Sequence, residues 1–279
     1  MATYAHPEVL VSTDWVLAHH KDDNVRIIEV DTDTTAYDQG HIPGAIGWNW
    51  YTQLSDQLTR DIIGRADMGK LLSESGISPD TTIVLYGDNN NWFAAWAFWQ
   101  LKIYQHADVR LMNGGRKKWL ALDLPLSTET PTYAGTHYEA PAPDMSIRAY
   151  LQDVMATLGK NDTALIDVRS ADEFTGKILA PPGLPETCQR GGHIPGAKNI
   201  GWATAANEDG TFKGFEELKD LYASHGINED SQIIAYCRIG ERSSYSWFVA
   251  KYLLGYENAR NYDGSWTEWG NLVAAPIEK

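Results

Sequence analysis

The hexapeptide Gly-His-Ile-Pro-Gly-Ala occurs twice in this chain, at residues 40–45 and again 152 residues later at 192–197. A second series recurs at an offset of 150: Tyr86 with Tyr236, Phe98 with Phe248, Gly114 with Gly264 and Trp119 with Trp269. Two near-constant spacings in one order imply a duplicated domain, and 279 residues are enough for two ordinary ones. Each copy follows one plan. A strand (26–31; 163–168) precedes the hexapeptide turn. A second strand (82–86; 232–236) runs into a loop and a helix. A third (109–112; 259–262) runs into a glycine-containing turn and another helix. Short apolar strands alternating with helical patterns predict an α/β fold of two tandem domains, each a mostly parallel sheet with helices on both faces. The expected boundaries are 1–130 for the first domain, 131–145 for an extended, proline-rich linker and 146–279 for the second domain.

In such sheets ligands bind beyond the carboxyl ends of the strands. The second domain carries Cys237 there, in Tyr236-Cys237-Arg238-Ile239-Gly240-Glu241-Arg242-Ser243, where strand 232–236 ends and a helix predicted over 243–254 begins. Helix-start amides and neighbouring cations favour a thiolate and also make a pocket for an anion. Cys237 is therefore the candidate nucleophile. Arg238, Ile239, Gly240, Glu241, Arg242 and Ser243 are the candidate substrate loop, with Gly240 allowing the backbone to turn its amides inward. In the first domain the aligned positions are Gly87 for Cys237, Asp88 for Arg238 and Trp92 for Arg242. That half has no thiol and a negative charge where the other has positive ones, so it is expected to be inactive, serving packing and one wall of the pocket.

Other residues read more plainly. His41 and His193 recur in both halves, including the one without a thiol, which makes the hexapeptides structural turns. Asp167 and Arg169 end the first strand of the second domain; Asp167 either orients the loop or forms a buried ion pair. Cys188 lies in a Pro- and Gly-rich insert at about 176–190 and reads as incidental, with a redox pairing to Cys237 as the alternative. Two cysteines and no Cys-x-x-Cys give neither a disulfide framework nor a structural zinc site, and no metal or cofactor is expected. A net charge of −14 argues against nucleic-acid or anionic-membrane partners. There is no long apolar run and no signal-like N-terminus, so a cytoplasmic setting is expected.

These motifs together resemble the tandem-domain rhodaneses, the thiosulfate sulfurtransferases, over nearly the whole chain. The resemblance rests on the paired hexapeptides, Asp167-Val168-Arg169, the Cys-Arg-Ile-Gly-Glu-Arg loop, and Asp263-Gly264-Ser265-Trp266. In detail the loop is similar to the actinobacterial and cyanobacterial type. The resemblance implies an inactive first domain, a catalytic second one, and ping-pong transfer of sulfane sulfur from thiosulfate through a Cys237 persulfide to a small thiophilic acceptor, cyanide in an assay. A protein or thiol acceptor is a further candidate partner. Many animal members carry lysine where this chain has Ile239, and an upstream arginine is replaced around Glu173. The sulfonate site is then expected from Arg238 and Arg242, with Arg190 from the insert as a further candidate.

Three rivals share the fold or the loop. A 3-mercaptopyruvate sulfurtransferase has a less charged loop, typically Cys-Gly-Ser/Thr-Gly, and Arg238 argues against it. A Cys-x5-Arg phosphatase needs one more residue than the Cys-x4-Arg spacing here. A non-catalytic sulfur carrier or binding module is the third.

Overall fold

The computed structural model describes residues 3–160, 162–182 and 188–279. It divides into two compact units. The first comprises residues 8–144 and the pentapeptide 208–212; the second comprises the N-terminal segment through Pro7, residues 145–207 and 213–279.

The first unit holds a five-stranded sheet in the order β1 (Leu10–Val11), β5 (Val109–Met112), β4 (Thr82–Tyr86), β2 (Val25–Asp31), β3 (Ile46–Asn49), and every pairing is parallel. The second holds a four-stranded parallel sheet in the order β7 (Lys198–Asn199), β6 (Thr163–Asp167), β8 (Gln232–Tyr236), β9 (Ala259–Asn261). In each sheet the chain steps from a central strand (β2 or β6) outward to one edge (β3 or β7), then returns past that central strand towards the other side; in the first sheet β1 adds a further edge beside β5. Right-handed crossovers in opposite directions put the connecting helices on opposite faces. The central strands β4 and β8 are mostly apolar because both of their faces are covered: Ile83, Val84, Leu85, Ile233, Ile234 and Ala235 are all buried.

The duplication extends to individual hydrogen bonds. The Tyr86 hydroxyl accepts from the Ile42 amide, and the Tyr236 hydroxyl accepts from the Ile194 amide. Trp119 and Trp269 each donate an indole N–H to a proline carbonyl a few residues on, Pro125 and Pro276. The histidines of the hexapeptides are structural in both units. His41 stacks on Tyr37 and bonds its carbonyl, while His193 stacks on Phe174 and bonds its carbonyl.

The predicted linker 131–145 is not a free spacer. Residues up to Asp144 belong to the first unit. Tyr133 donates to the Gly44 carbonyl, the Tyr138 hydroxyl meets His106 Nδ1 at 2.8 Å, and the Asp144 amide donates to the Ile103 carbonyl. The pentapeptide 208–212 is also held by the first unit, through Asp209 to Lys118 at 2.5 Å and the Phe212 amide to Asn113. Neither segment forms regular structure, so hydrophobic periodicity carried no sign of these attachments. The helix predicted over 243–254 starts two residues earlier, at Glu241, and runs to Phe248; a π-helical turn over Val249–Leu253 follows, and Gly255, at φ 74°, ends it. Of the described residues, none lies in a helix long and apolar enough to cross a membrane.

Candidate active site

β8 delivers Cys237 to the carboxyl edge of the sheet, beside the end of β6, at the point where the strand order reverses. The next turn is forced by Gly240, at φ 105° in the left-handed region, which caps helix Glu241–Phe248 and has no side chain to offer its first amides. The cysteine sulfur fills that place: the Gly240 amide donates to Cys237 Sγ at 3.1 Å, and the Ser243 amide also points to it. The Gly240 carbonyl is held in turn by the Ser243 and Ser244 hydroxyls, at 3.0 and 2.8 Å.

A second segment clamps the loop from beyond β9. Ser265 Oγ accepts the Cys237 amide at 3.0 Å and donates to the Tyr262 carbonyl at 2.8 Å. The Trp266 amide donates to the Cys237 carbonyl, and Thr267 gives both its amide and its hydroxyl to the Arg238 carbonyl. Ser265 does this at φ 53°, a left-handed conformation that costs a residue with a Cβ of order 1 kcal/mol. Ser265 stood out in the sequence only as part of the Asp263-Gly264-Ser265-Trp266 motif, with no role of its own. The signal was present: the aligned residue of the first half is Gly115, whose φ is 55°.

The charges around the sulfur form a chain. The Cys237 thiol donates to Glu241 Oε2 at 3.3 Å. Glu241 Oε1 lies 3.4 Å from Arg242 Nε. The two terminal nitrogens of Arg242 bond both oxygens of Glu173, at 3.0 and 3.1 Å. All four side chains are buried. Burial would raise the Glu173 carboxyl, but the Arg242 guanidinium together with the Ser170 amide and hydroxyl outweighs it and holds the group below the ordinary glutamate value. The upstream change at Glu173 and the loop arginine are thus two ends of one ion pair.

The expected thiolate is not what this environment favours at rest. Cys237 is fully buried, and desolvation pushes its thiol up, with the Glu241 charge adding to it. Arg242 and the Ser243 and Gly240 amides pull the other way and are outweighed. The sequence argument counted amides and cations along the loop; the depth of the sulfur and the aim of the Glu241 side chain are tertiary facts.

Arg238 and Ile239 are buried on the same loop. Asp167 pairs with Arg169 at 2.6 Å, Arg169 also bonds the Gly192 carbonyl, and its guanidinium lies 4.5 Å from the Trp266 ring centre. Arg190 is committed elsewhere: its three guanidinium nitrogens bond the Trp269, Gly270, Leu272 and Ala275 carbonyls. It staples the C-terminal segment rather than lending a free charge to the loop. Cys188 is buried, Cys188 and Cys237 are both free thiols, and residues 183–187 of the insert lie outside the described residues.

The arrangement is a buried cysteine sulfur met by two loop amides, Gly240 and Ser243, at the carboxyl edge of a parallel sheet. The rhodanese-like domain matches residues 12–122 and 151–272. The chain belongs to the rhodanese family. It is similar to a protein of Haloferax volcanii named "Putative thiosulfate sulfurtransferase", 58% identical over 98% of this chain and 96% of that one. It is equally similar to the sulfur carrier protein TtuD of Thermus thermophilus, 57% identical over 99% of this chain and 98% of the other. Among solved structures, an EanB variant holding a cysteine persulfide with ergothioneine superposes with a TM-score of 0.87 at 26% identity, over all of this chain and 72% of that one. Sulfur-transfer activity is what the two rhodanese domains and these relatives support.

Proposed function

We propose that this chain is a thiosulfate sulfurtransferase working by a ping-pong cycle through a Cys237 persulfide. Cys237 attacks the outer sulfur of thiosulfate, sulfite leaves, and the bound sulfur passes to a thiophilic acceptor. The observation that carries the reading is the Gly240 amide 3.1 Å from Sγ at the start of a buried helix, a donor preset for an anionic persulfide. The loop amides through Ser243, with Arg238 and Ile239 lining the loop, meet the substrate. Arg242 serves by holding Glu241 and Glu173 in place, since its terminal nitrogens are engaged. Asp167, Arg169 and Arg190 act as support. The test is thiocyanate formation from thiosulfate and cyanide, with 3-mercaptopyruvate in parallel and Cys237→Ala as control. Preference for thiosulfate, lost in the variant, is expected; preference for 3-mercaptopyruvate would overturn the donor and keep the persulfide.

A second reading, a carrier handing its sulfur to one protein partner, is favoured by the name of the Thermus thermophilus relative. It predicts stoichiometric persulfide formation with little turnover to cyanide or small thiols.

A further inference from the structure

A cysteine that enters the cycle as a thiol must give up a proton when it takes sulfur and recover one when it passes the sulfur on. At Cys237 the sulfur is fully buried, so that proton has no direct path to water. Among the described residues one basic atom touches it: Glu241 Oε2, at 3.3 Å, accepting the thiol hydrogen. The carboxylate is fixed from its other side by Arg242 Nε at 3.4 Å, and Arg242 is fixed by both oxygens of Glu173. The charged side chains on the elements packed around the loop are otherwise engaged. Asp167 and Arg169 at the end of β6 pair with each other, Asp263 after β9 pairs with Arg148 at 2.8 Å, and Glu268 accepts from Tyr262. Arg238, on the loop itself, adds a positive charge and carries no basic atom.

We propose that Glu241 is a catalytic residue, the proton store of the sulfur-transfer cycle. The inference rests on the persulfide reading above and deepens it. In the first half-reaction Sγ forms a bond to the outer sulfur of thiosulfate, and the S–S bond to the sulfonate breaks with its electron pair leaving on sulfite. The thiol proton passes to Glu241, which becomes neutral as the persulfide becomes negative. The buried site keeps its net charge, which removes the cost of a second uncompensated anion. In the second half-reaction the acceptor, cyanide in the assay, bonds to the terminal sulfur. The Sγ–S bond breaks with its pair remaining on Sγ, and the proton returns from Glu241. No oxidant or reductant enters, and over the whole cycle thiosulfate and cyanide give sulfite and thiocyanate.

Two measurements test this, and the first needs no turnover. The thiolate of Cys237 is titrated by its ultraviolet absorbance, with Cys237→Ser as blank, in the wild type and in Glu241→Gln. Removing the carboxylate is expected to move the midpoint down by at least about one pH unit, roughly tenfold more thiolate at a given pH below it. An unmoved midpoint in folded Glu241→Gln would overturn the role. The second uses the wild type alone, so a variant that does not fold leaves the idea exposed. Loading with thiosulfate in weakly buffered solution at a pH where sulfite is fully ionised should release almost no proton to the medium. Release of one proton per persulfide formed would overturn the store. If thiosulfate does not load the protein but the titration shifts as expected, the donor assignment falls and the role of Glu241 stands.

Discussion

The two halves of this chain hold the same strand–loop–helix unit in two chemical states. At the end of β8 is Cys237; at the equivalent end of β4 is Gly87. After Cys237 one glycine turns left-handed to aim amides at the sulfur. After Gly87 three asparagines, Asn89, Asn90 and Asn91, are all left-handed, and the Asn91 side chain takes the Gly87 amide itself. The clamp is retained only in part: the Arg116 amide donates to the Gly87 carbonyl as the Trp266 amide does to that of Cys237, but the side-chain hydroxyl is missing. Ser265 uses a strained backbone to present a hydroxyl to the Cys237 amide, while Gly115, at the same φ, presents nothing. The buried ion pairs swap partners: Glu29 with Arg116 in the first unit, Asp167 with Arg169 in the second, each carboxylate beside the tyrosine that holds the hexapeptide turn. The lesson is that both halves keep a buried charge pair and a turn at these places, whereas only one half has the hydrogen bonds that hold a buried cysteine.

The largest test of that contrast is to move the thiol. Cys237→Ala should lower sulfur transfer by at least ~10³-fold, since the covalent route is gone. Gly87→Cys added to it should restore nothing. A Cβ at Gly87 would meet the Val30 carbonyl oxygen at 2.4 Å and Asp31 Oδ1 at 3.1 Å, so the backbone must shift and the first unit should lose stability, by about 1–3 kcal/mol. Measurable thiocyanate formation by the double variant would break the comparison.

Next is the pair that joins the two carboxylates to the loop. Glu173→Ala leaves Arg242 buried beside a single remaining carboxylate and should cost about 3–5 kcal/mol in denaturant unfolding. Wild-type stability in this variant would mean that the ion pair does not anchor the loop.

A pH dependence separates the halves further. Burial pushes the Asp31 carboxyl up to about 8, with Asp88 and Glu29 adding to it; the Asp88 amide and Arg116 oppose this, and Oδ2 has no hydrogen-bond partner. The folded first unit therefore holds a proton that the unfolded chain releases near the ordinary aspartate value of 3.8. The stability tied to that proton is complete below about 4 and is lost as pH rises through about 8. Asp31→Asn should flatten this slope and raise the melting temperature by a few degrees at about pH 8.5. An unchanged slope would remove Asp31 as its source.

The smallest effect is expected at Ser265. Ser265→Ala keeps the strained backbone and deletes one hydrogen bond to the Cys237 amide, about 1 kcal/mol, or roughly fivefold in persulfide formation if the bond is kept into the transition state. Ser265→Gly relieves the strain and should recover stability without recovering rate; recovery of both would make the serine a packing residue.

Much of this was legible along the chain. The parallel sheets follow from short apolar strands between helical patterns, and β4, β5 and β8 begin and end where the pattern changes. The Cys237 loop, the left-handed Gly240 and the inert histidines could be read because each depends on neighbours within a few residues. Harder to read were features whose partners are remote in sequence. Glu173 and Arg242 meet across 69 positions, and Arg190 reaches carbonyls about 80 positions on. Ser265 reaches Cys237 across 28.

The sequence by itself determined the duplication, the alternation of strands and helices in each repeat, and which half carries a cysteine at the end of its second strand, because periodicity, glycine and cysteine act locally. Tertiary structure alone decided which carboxylate each arginine meets, that Arg190 is a staple, and that burial and Glu241 push the Cys237 thiol up. Those outcomes depend on burial and on distances of a few ångströms between distant residues, and a charge's preference is set by what surrounds it in space.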